Sequence, residues 1–166
     1  MAQPLDIARA VFSRINLICA IVAAGLLFGI AIIVCFEVIG RALGAPSHLW
    51  VIEASEYALL FITFLGAPYL LEKNSHVVLD LLLNHLSGTP KRVAQFSNAT
   101  IGFAVCAILT WVGIGVVTEQ FSVGVREVTV MRPESWWITA AMPIGTALMT
   151  VQFLDAMVRS IASSEE

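Results

Sequence analysis

Long apolar runs alternate with short polar stretches along the chain. The four runs cover residues 15–36, 50–71, 96–117 and 136–158. An α-helix needs roughly 20 apolar residues to cross about 30 Å of hydrocarbon, and each run is close to that length. Backbone groups cannot remain unpaired in lipid, so each run is predicted to be helical. The pattern predicts an all-α integral membrane protein, a single four-helix membrane domain over residues 1–166.

The connection between the second and third runs has a different pattern. Within residues 76–86, polar residues recur every four positions at His76 and Asp80 and continue at Asn84, with leucines and valines between them. This spacing places the polar side chains on one helix face. The segment is too short to span, so it is predicted to be an amphipathic interfacial helix. The N-terminal stretch 4–15 has a similar mixed character and is predicted to be an amphipathic lead-in to the first span.

The distribution of basic residues predicts the orientation. With four spans, both termini lie on one side of the membrane together with the central connection. That side holds six basic residues and the other side three: Arg9, Arg14, Lys73, Lys91, Arg92 and Arg159, against Arg41, Arg126 and Arg132. Cytoplasmic loops are enriched in Lys and Arg, so both termini and residues 76–86 are predicted to be cytoplasmic.

Composition excludes several classes of protein. The chain is 58% hydrophobic and 13% charged, whereas a soluble domain is about half apolar and about a quarter charged. No basic face of the kind that binds nucleic acid is present. The cysteines lie inside the apolar runs and form no C-x-x-C motif, which disfavours a thiol–disulfide relay. The first run is longer than the apolar region of a signal peptide, and it is predicted to remain as a span.

No residue pattern indicates catalysis. The three histidines, His48, His76 and His85, all lie outside the predicted spans, whereas a haem-carrying anchor would need facing histidines within spans. No nucleophile–base pair, metal motif or phosphate loop has a plausible position. We therefore predict no catalytic residues, no metal and no cofactor.

Two groups of charged residues lie at span ends. Glu37 ends the first run and Arg41 follows one turn later, the favourable order for a local ion pair. An interfacial pair is the leading interpretation; proton coupling through Glu37 or contact with a partner are the alternatives. Glu53 and Glu56 lie in the first turns of the second run, where acidic residues meet the positive end of the helix dipole.

Proline and small residues interrupt the spans. Pro68 and Pro143 are interpreted as ordinary kinks rather than as the helix breaks of a transporter's substrate site. The spacings of Gly25 with Gly29 and of Ala141 with Gly145 permit close helix contact. These features predict packing and indicate no particular partner.

A set of residues in one order and spacing resembles a known family. These are Arg41, Gly44, Trp50, Glu53, Phe64, Gly66, His76 and Asp80, followed by the stretch 128–149 that opens the fourth span. The chain resembles the small membrane subunit of tripartite ATP-independent periplasmic (TRAP) transporters, the DctQ-like family. With four spans, the resemblance extends over nearly the whole chain.

The resemblance implies a three-part transport system in the bacterial inner membrane. A periplasmic binding protein captures an organic acid, and a large multi-span subunit moves it with a sodium gradient. This chain would pair with the large subunit as a heterodimer and act as a fixed scaffold beside the moving transport domain.

Partner contacts are expected on both faces. On the cytoplasmic face, the interfacial segment is expected to brace the scaffold against lipid and the large subunit through His76, Asp80, Leu82 and Leu86. On the periplasmic face, the candidate contacts with the binding protein are Arg41, His48, Trp50, Glu53, Arg126 and Glu127, the last two within the loop 121–134. The alternative is an autonomous four-span transporter that works as a homodimer with Glu37 as the coupling acid.

Overall fold

The computed structural model of the chain describes residues 4–74 and 89–162. Within these residues the regular structure is helical, as predicted. The helices are α1 (Pro4–Ala42), α2 (Leu49–Asn74), α3 (Thr89–Val123), α4 (Ser135–Thr139) and α5 (Ala141–Ala162). The predicted interfacial segment 76–86 lies outside the described residues.

Four helical segments in the described part of the chain are long and apolar enough to cross a membrane. They are Arg9–Ala42, Leu49–Lys73, Phe96–Val123 and Ser135–Val158. The predicted all-α fold with four helices able to span a membrane is therefore confirmed. The predicted cytoplasmic position of the termini stays a prediction.

The first helix differs from its predicted bounds at both ends. α1 has 39 residues and runs without a break through the polar N-terminal stretch and past Glu37. The polar residues do not end it because they follow the helical period and find partners on neighbouring elements. The amphipathic lead-in is therefore one continuous helix with the first span.

The fourth span is interrupted at Ala140, close to Pro143, which the sequence analysis interpreted as a kink. A turn at Ala140 separates α4 from α5, and Pro143 lies in the first turn of α5. Proline has no N–H and its ring crowds the carbonyl four residues earlier, here that of Thr139. Pro68, by contrast, lies inside α2, which continues through it.

The long helices pack in an order different from their order in the chain. α1 packs on α2, α2 packs on α5, and α5 packs on α3, while the short α4 lies mainly against α3. Few side chains are fully buried, and many large apolar side chains on α1 and α3 are exposed. An exposed apolar surface of this extent suits a protein surrounded by lipid.

Small residues permit the central helix contacts. A Cβ atom at Gly145 would overlap the backbone carbonyl oxygen of Phe64, and one at Gly113 would lie 3.1 Å from the ring of Pro143. Gly25 and Gly29 have nothing within 4 Å of their would-be Cβ positions. The small-residue spacing on α5 therefore serves a contact within the chain, whereas the one on α1 does not.

Candidate functional site

Polar contacts between elements concentrate at the two ends of the helices. We name these the termini end, where Arg9, Glu72 and Asp155 lie, and the loop end, where His48 and Glu53 lie. Because the helices alternate in direction, the α1–α2 and α3–α4 connections both belong to the loop end. The predicted partner-contact residues within the described part of the chain all lie there.

Glu37 ties the end of α1 to the start of α2. One carboxylate oxygen accepts the backbone N–H of His48 at 2.9 Å, and the other lies 3.0 Å from the His48 ring atom Nδ1. Arg41 Nη2 is 3.5 Å from the carboxylate, so the pair suggested by the sequence is the longer contact. Glu37 is only 8% exposed, and it lies five positions before Ala42, the last residue of α1. Its carboxylate therefore binds the α1–α2 connection.

Gly44 explains how α1 stops. Its φ is +85°, a left-handed conformation that glycine adopts without steric cost. The N–H of Ala45 bonds the carbonyl of Gly40 at 2.9 Å, and the N–H of Gly44 bonds that of Arg41 at 3.1 Å. This pair of bonds defines a Schellman C-cap. The Arg41–Gly44 spacing is therefore a helix stop that turns the chain back towards Glu37.

The α3–α4 connection folds as a hairpin over residues 125–134, which we name the loop hairpin. The N–H of Glu127 donates to the carbonyl of Pro133 at 3.1 Å, and the N–H of Ser135 donates to that of Val125 at 3.1 Å. Its base also carries a 3.5 Å contact between the side chains of Arg126 and Glu134. The base of the loop hairpin is therefore polar and closed by its own bonds.

Glu53 fastens the tip of the loop hairpin to α2. Its two carboxylate oxygens accept the consecutive N–H groups of Val130 and Met131, at 2.7 and 3.0 Å. One turn along α2, the Tyr57 hydroxyl donates to the Thr129 hydroxyl at 3.1 Å. Sequence reasoning assigned Glu53 to a partner or to the helix dipole, because nothing in the chain pattern reveals a bond between residues 77 positions apart.

The remaining predicted contact residues at the loop end are open to solvent or lipid. The Arg126 side chain is 65% exposed, and that of Arg41 is 60% exposed. Trp50, at the start of α2, and the His48 ring are also partly exposed. Glu127 is half-buried. Arg126 is thus the predicted residue best placed to meet another molecule.

A second polar cluster joins three helices at the termini end. Glu72 accepts hydrogen bonds from Ser13 Oγ at 2.7 Å and from Asn16 Nδ2 at 2.6 Å, which links α1 with α2. Arg9 pairs with Asp155 at 2.8 Å, which links α1 with α5. Asn16 is fully buried. The sequence analysis assigned no role to Asn16 or to Glu72.

His76, Asp80, Leu82 and Leu86 lie outside the described residues, so the structure does not place them. Among the side chains that it does describe, no three His, Cys, Asp or Glu residues lie close enough together to hold a metal ion. The arrangement can fasten helix ends and loops to one another, and it presents a cationic side chain at the loop end.

Comparison with known proteins identifies the family. The model of the DctQ component of tripartite ATP-independent periplasmic transporters matches residues 30–163, well over half of the chain. No curated protein matches at a significant level. The matched region includes the Schellman cap after α1, Glu53 and the loop hairpin that it holds. This multi-pass membrane protein belongs to the DctQ family, the small membrane component of TRAP transporters.

Proposed function

We propose that the chain is the scaffold subunit of a sodium-coupled TRAP importer of an organic acid. It pairs with the large transport subunit as a heterodimer in the bacterial inner membrane, and a periplasmic binding protein delivers the substrate. Both termini face the cytoplasm, so the loop end is periplasmic. The chain itself performs no catalysis and carries no cofactor.

The observation that supports this proposal is the set of contacts made by the acidic side chains within the helical segments. Glu37, Glu53 and Glu72 each bind another part of the same chain, at the helix ends. Intramembrane charges mark a substrate or ion pathway when they line a cavity in the bundle interior. Acidic groups that fasten loops and helix ends instead stabilise one arrangement of the bundle, which supports a static role beside a moving subunit.

Purification tests the proposal directly. The tagged chain is extracted from its native membranes in mild detergent, and co-purifying proteins are identified by mass. We expect a large multi-span partner in equal amount, and sodium-driven uptake in vesicles only when both membrane subunits and the binding protein are present. A homo-oligomer that transports without partners would contradict it.

Docking of the binding protein is proposed to use the polar base of the loop hairpin, Arg126 and Glu127, together with Arg41, His48 and Trp50 at the same end of the helices. Reversing the charge at Arg126 or Glu127 should alter docking, and the effect should shrink as salt screens the interaction. Arg14→Glu, an exposed reversal at the termini end, is the control. Equal uptake by the wild type and both loop-end reversals would remove this assignment.

The segment 76–86 is proposed to bind the large subunit and the membrane surface. Replacing Leu82 and Leu86 with Asp should lower recovery of the large subunit, because the apolar face of an amphipathic helix drives its association. The control is Asn84→Asp, which changes the polar stripe that includes His76 and Asp80. Recovery of the large subunit in normal amount with the double Asp variant would contradict this role.

The alternative function, an autonomous transporter, is tested at Glu37. If this carboxylate carried the coupled proton, the purified chain would transport without partners, and Glu37→Gln would abolish that uptake while leaving the protein stable. The bonds of Glu37 to His48 favour a structural role, for which we expect reduced stability of the loop end and residual uptake by the transporter assembled with all its subunits. Uptake by the chain alone that is lost in a stable Glu37→Gln variant would favour the alternative.

A further inference from the structure

The tip of the loop hairpin is apolar and uncovered. Residues 128–131 read Val-Thr-Val-Met. Val128 is 102% exposed, Val130 63% and Met131 52%. Single exposed apolar residues are ordinary on protein surfaces, but three within four consecutive residues form a patch that needs a cover.

Polar groups of the same tip are bonded to α2. The N–H groups of Val130 and Met131 are both bound by the Glu53 carboxylate, and the Thr129 hydroxyl is bound by Tyr57. A loop in water has no need of such partners, because water supplies them. A loop in contact with hydrocarbon does need them, because an unpaired N–H costs several kcal/mol there, on the order of a full desolvation penalty.

The depth of the tip agrees with contact to lipid. The membrane-length segment of α2 begins at Leu49, and Glu53 and Tyr57 follow about 6 and 12 Å along the helix axis. The tip is bonded to both side chains, so it is folded back along the span rather than projecting beyond it. Trp50 lies on the first turn of α2 and Trp137 on α4, both partly exposed, and tryptophan favours the boundary between headgroups and acyl chains.

A basic residue borders the apolar tip. Arg132, with a φ of +46°, follows it directly and is exposed. A guanidinium can bind phosphate while the neighbouring side chains enter the acyl region. The apolar tip, its bonded N–H groups, its position along α2 and the arginine beside it are the features of an interfacial lipid anchor.

We propose that the tip of the loop hairpin, Val128 to Met131, inserts into the acyl boundary of the leaflet at the loop end, with Arg132 on the lipid phosphates. Glu53 makes this insertion possible because it supplies the hydrogen bonds that water otherwise would. The site is a phospholipid contact, distinct from the polar base to which docking of the binding protein is assigned.

The test is fluorescence quenching in lipid nanodiscs. Cys19, Cys35 and Cys106 are replaced by Ala, and single cysteines are introduced as V128C or V130C and labelled with an environment-sensitive fluorophore. The discs contain phosphatidylethanolamine and phosphatidylglycerol, with or without brominated acyl chains, and iodide serves as the aqueous quencher. The matched control is S47C, exposed in the α1–α2 connection at the same end.

We expect the probes at 128 and 130 to lose intensity with brominated acyl chains and to resist iodide, with the reverse at 47. The same pattern should hold in the co-purified transporter complex. E53A should raise iodide quenching at 130, since the tip loses its hydrogen bonds. Iodide access equal to that at 47 would overturn the proposal. Protection from both quenchers would also overturn it, by assigning the tip to a second copy or to the large subunit.

Discussion

At the scale of single residues, two acidic side chains at the loop end bind backbone groups. Glu37 accepts the N–H of His48, and Glu53 accepts two N–H groups of the loop hairpin. Each carboxylate lies on a helix and binds a connection that would otherwise be free to move. The Trp50–Glu53 spacing that formed part of the family resemblance therefore has a structural reason, because the first turns of α2 carry the side chain that fixes the α3–α4 connection.

The variant Glu53→Gln tests whether the loop hairpin is fixed by the carboxylate of Glu53. An amide keeps one acceptor oxygen but turns the other acceptor into a donor, so one of the two N–H groups loses its partner. Because bonds to charged groups contribute about 1.5–3 kcal/mol, we expect a loss of stability of that order. Thermal unfolding in detergent measures it.

Glu56→Gln is the control, since Glu56 is exposed on the same helix and makes no hydrogen bond within the described residues. It should leave the unfolding temperature close to that of the wild type. A Glu53→Gln variant as stable as Glu56→Gln would show that the tip of the loop hairpin does not depend on the carboxylate.

Contacts between residues one helical turn apart could be predicted from the sequence, whereas contacts between residues far apart in the chain could not. The Glu37–Arg41 contact follows from helical spacing, although its 3.5 Å length makes it secondary to His48. The Asn16–Glu72 bond joins residues 56 positions apart, and only the packing of α1 on α2 brings them together. The side-chain period identifies a face of a helix but says nothing of which partner meets it.

At the scale of elements, the contact between α2 and α5 lies at a backbone carbonyl of α2 that has no helical hydrogen bond. Pro68 has no N–H, so the carbonyl of Phe64 lacks its usual partner within α2. Gly145 of α5 lies directly against that carbonyl. The two backbones can approach this closely only because position 145 has no side chain.

Gly145→Ala should therefore separate α2 from α5. Overpacking of a tight contact costs about 1–3 kcal/mol, which outweighs the roughly 0.5–1 kcal/mol that alanine gains in a helix. The unfolding temperature of the purified chain should fall. Gly25→Ala and Gly115→Ala, where nothing lies within 4 Å, should be neutral or stabilising; a fall of the same size in all three would contradict the packing argument.

A second contact, between α3 and α5, includes a buried hydroxyl pair. Thr110 Oγ1 donates to Thr146 Oγ1 at 3.0 Å, and Thr146 is 1% exposed. Thr146→Val keeps the shape and removes the bond, so we expect a loss of about 0.6 kcal/mol, the average for such bonds in membranes. Thr63→Val, exposed and bonded only within its own helix, is the control for unfolding measurements; equal effects would mean that the hydroxyl pair contributes nothing between helices.

The sequence predicted the elements better than their ends. Apolar runs of membrane length identify four spans because lipid leaves the chain no other regular structure. They underestimate α1 and α3, because a helix can continue into water when its polar residues follow the helical period. The interruption at Ala140 lies close to the kink expected at Pro143, because proline lacks an N–H and its ring crowds the carbonyl four residues earlier.

At the scale of the whole molecule, polar bonds fasten both ends while apolar and small residues fill the middle. Reversing one partner of the Arg9–Asp155 pair should weaken the termini end by about 0.2–1 kcal/mol, as for partly exposed ion pairs. The double reversal, Arg9→Asp with Asp155→Arg, should restore part of that loss. Unfolding at low and high salt measures the coupling, and a double variant no better than the sum of the singles would mean that the pair is not formed.

The order in which the helices pack also determines when the bundle can be completed during synthesis. The last helix, α5, lies between α2 and α3, so a ribosome that has released only three spans leaves α3 without its main neighbour. The position beside α3 is filled only when α5 enters the bilayer. A premature stop codon before residue 141 would therefore remove the centre of the bundle rather than its edge, and the fragment would present α3 to the membrane quality-control proteases.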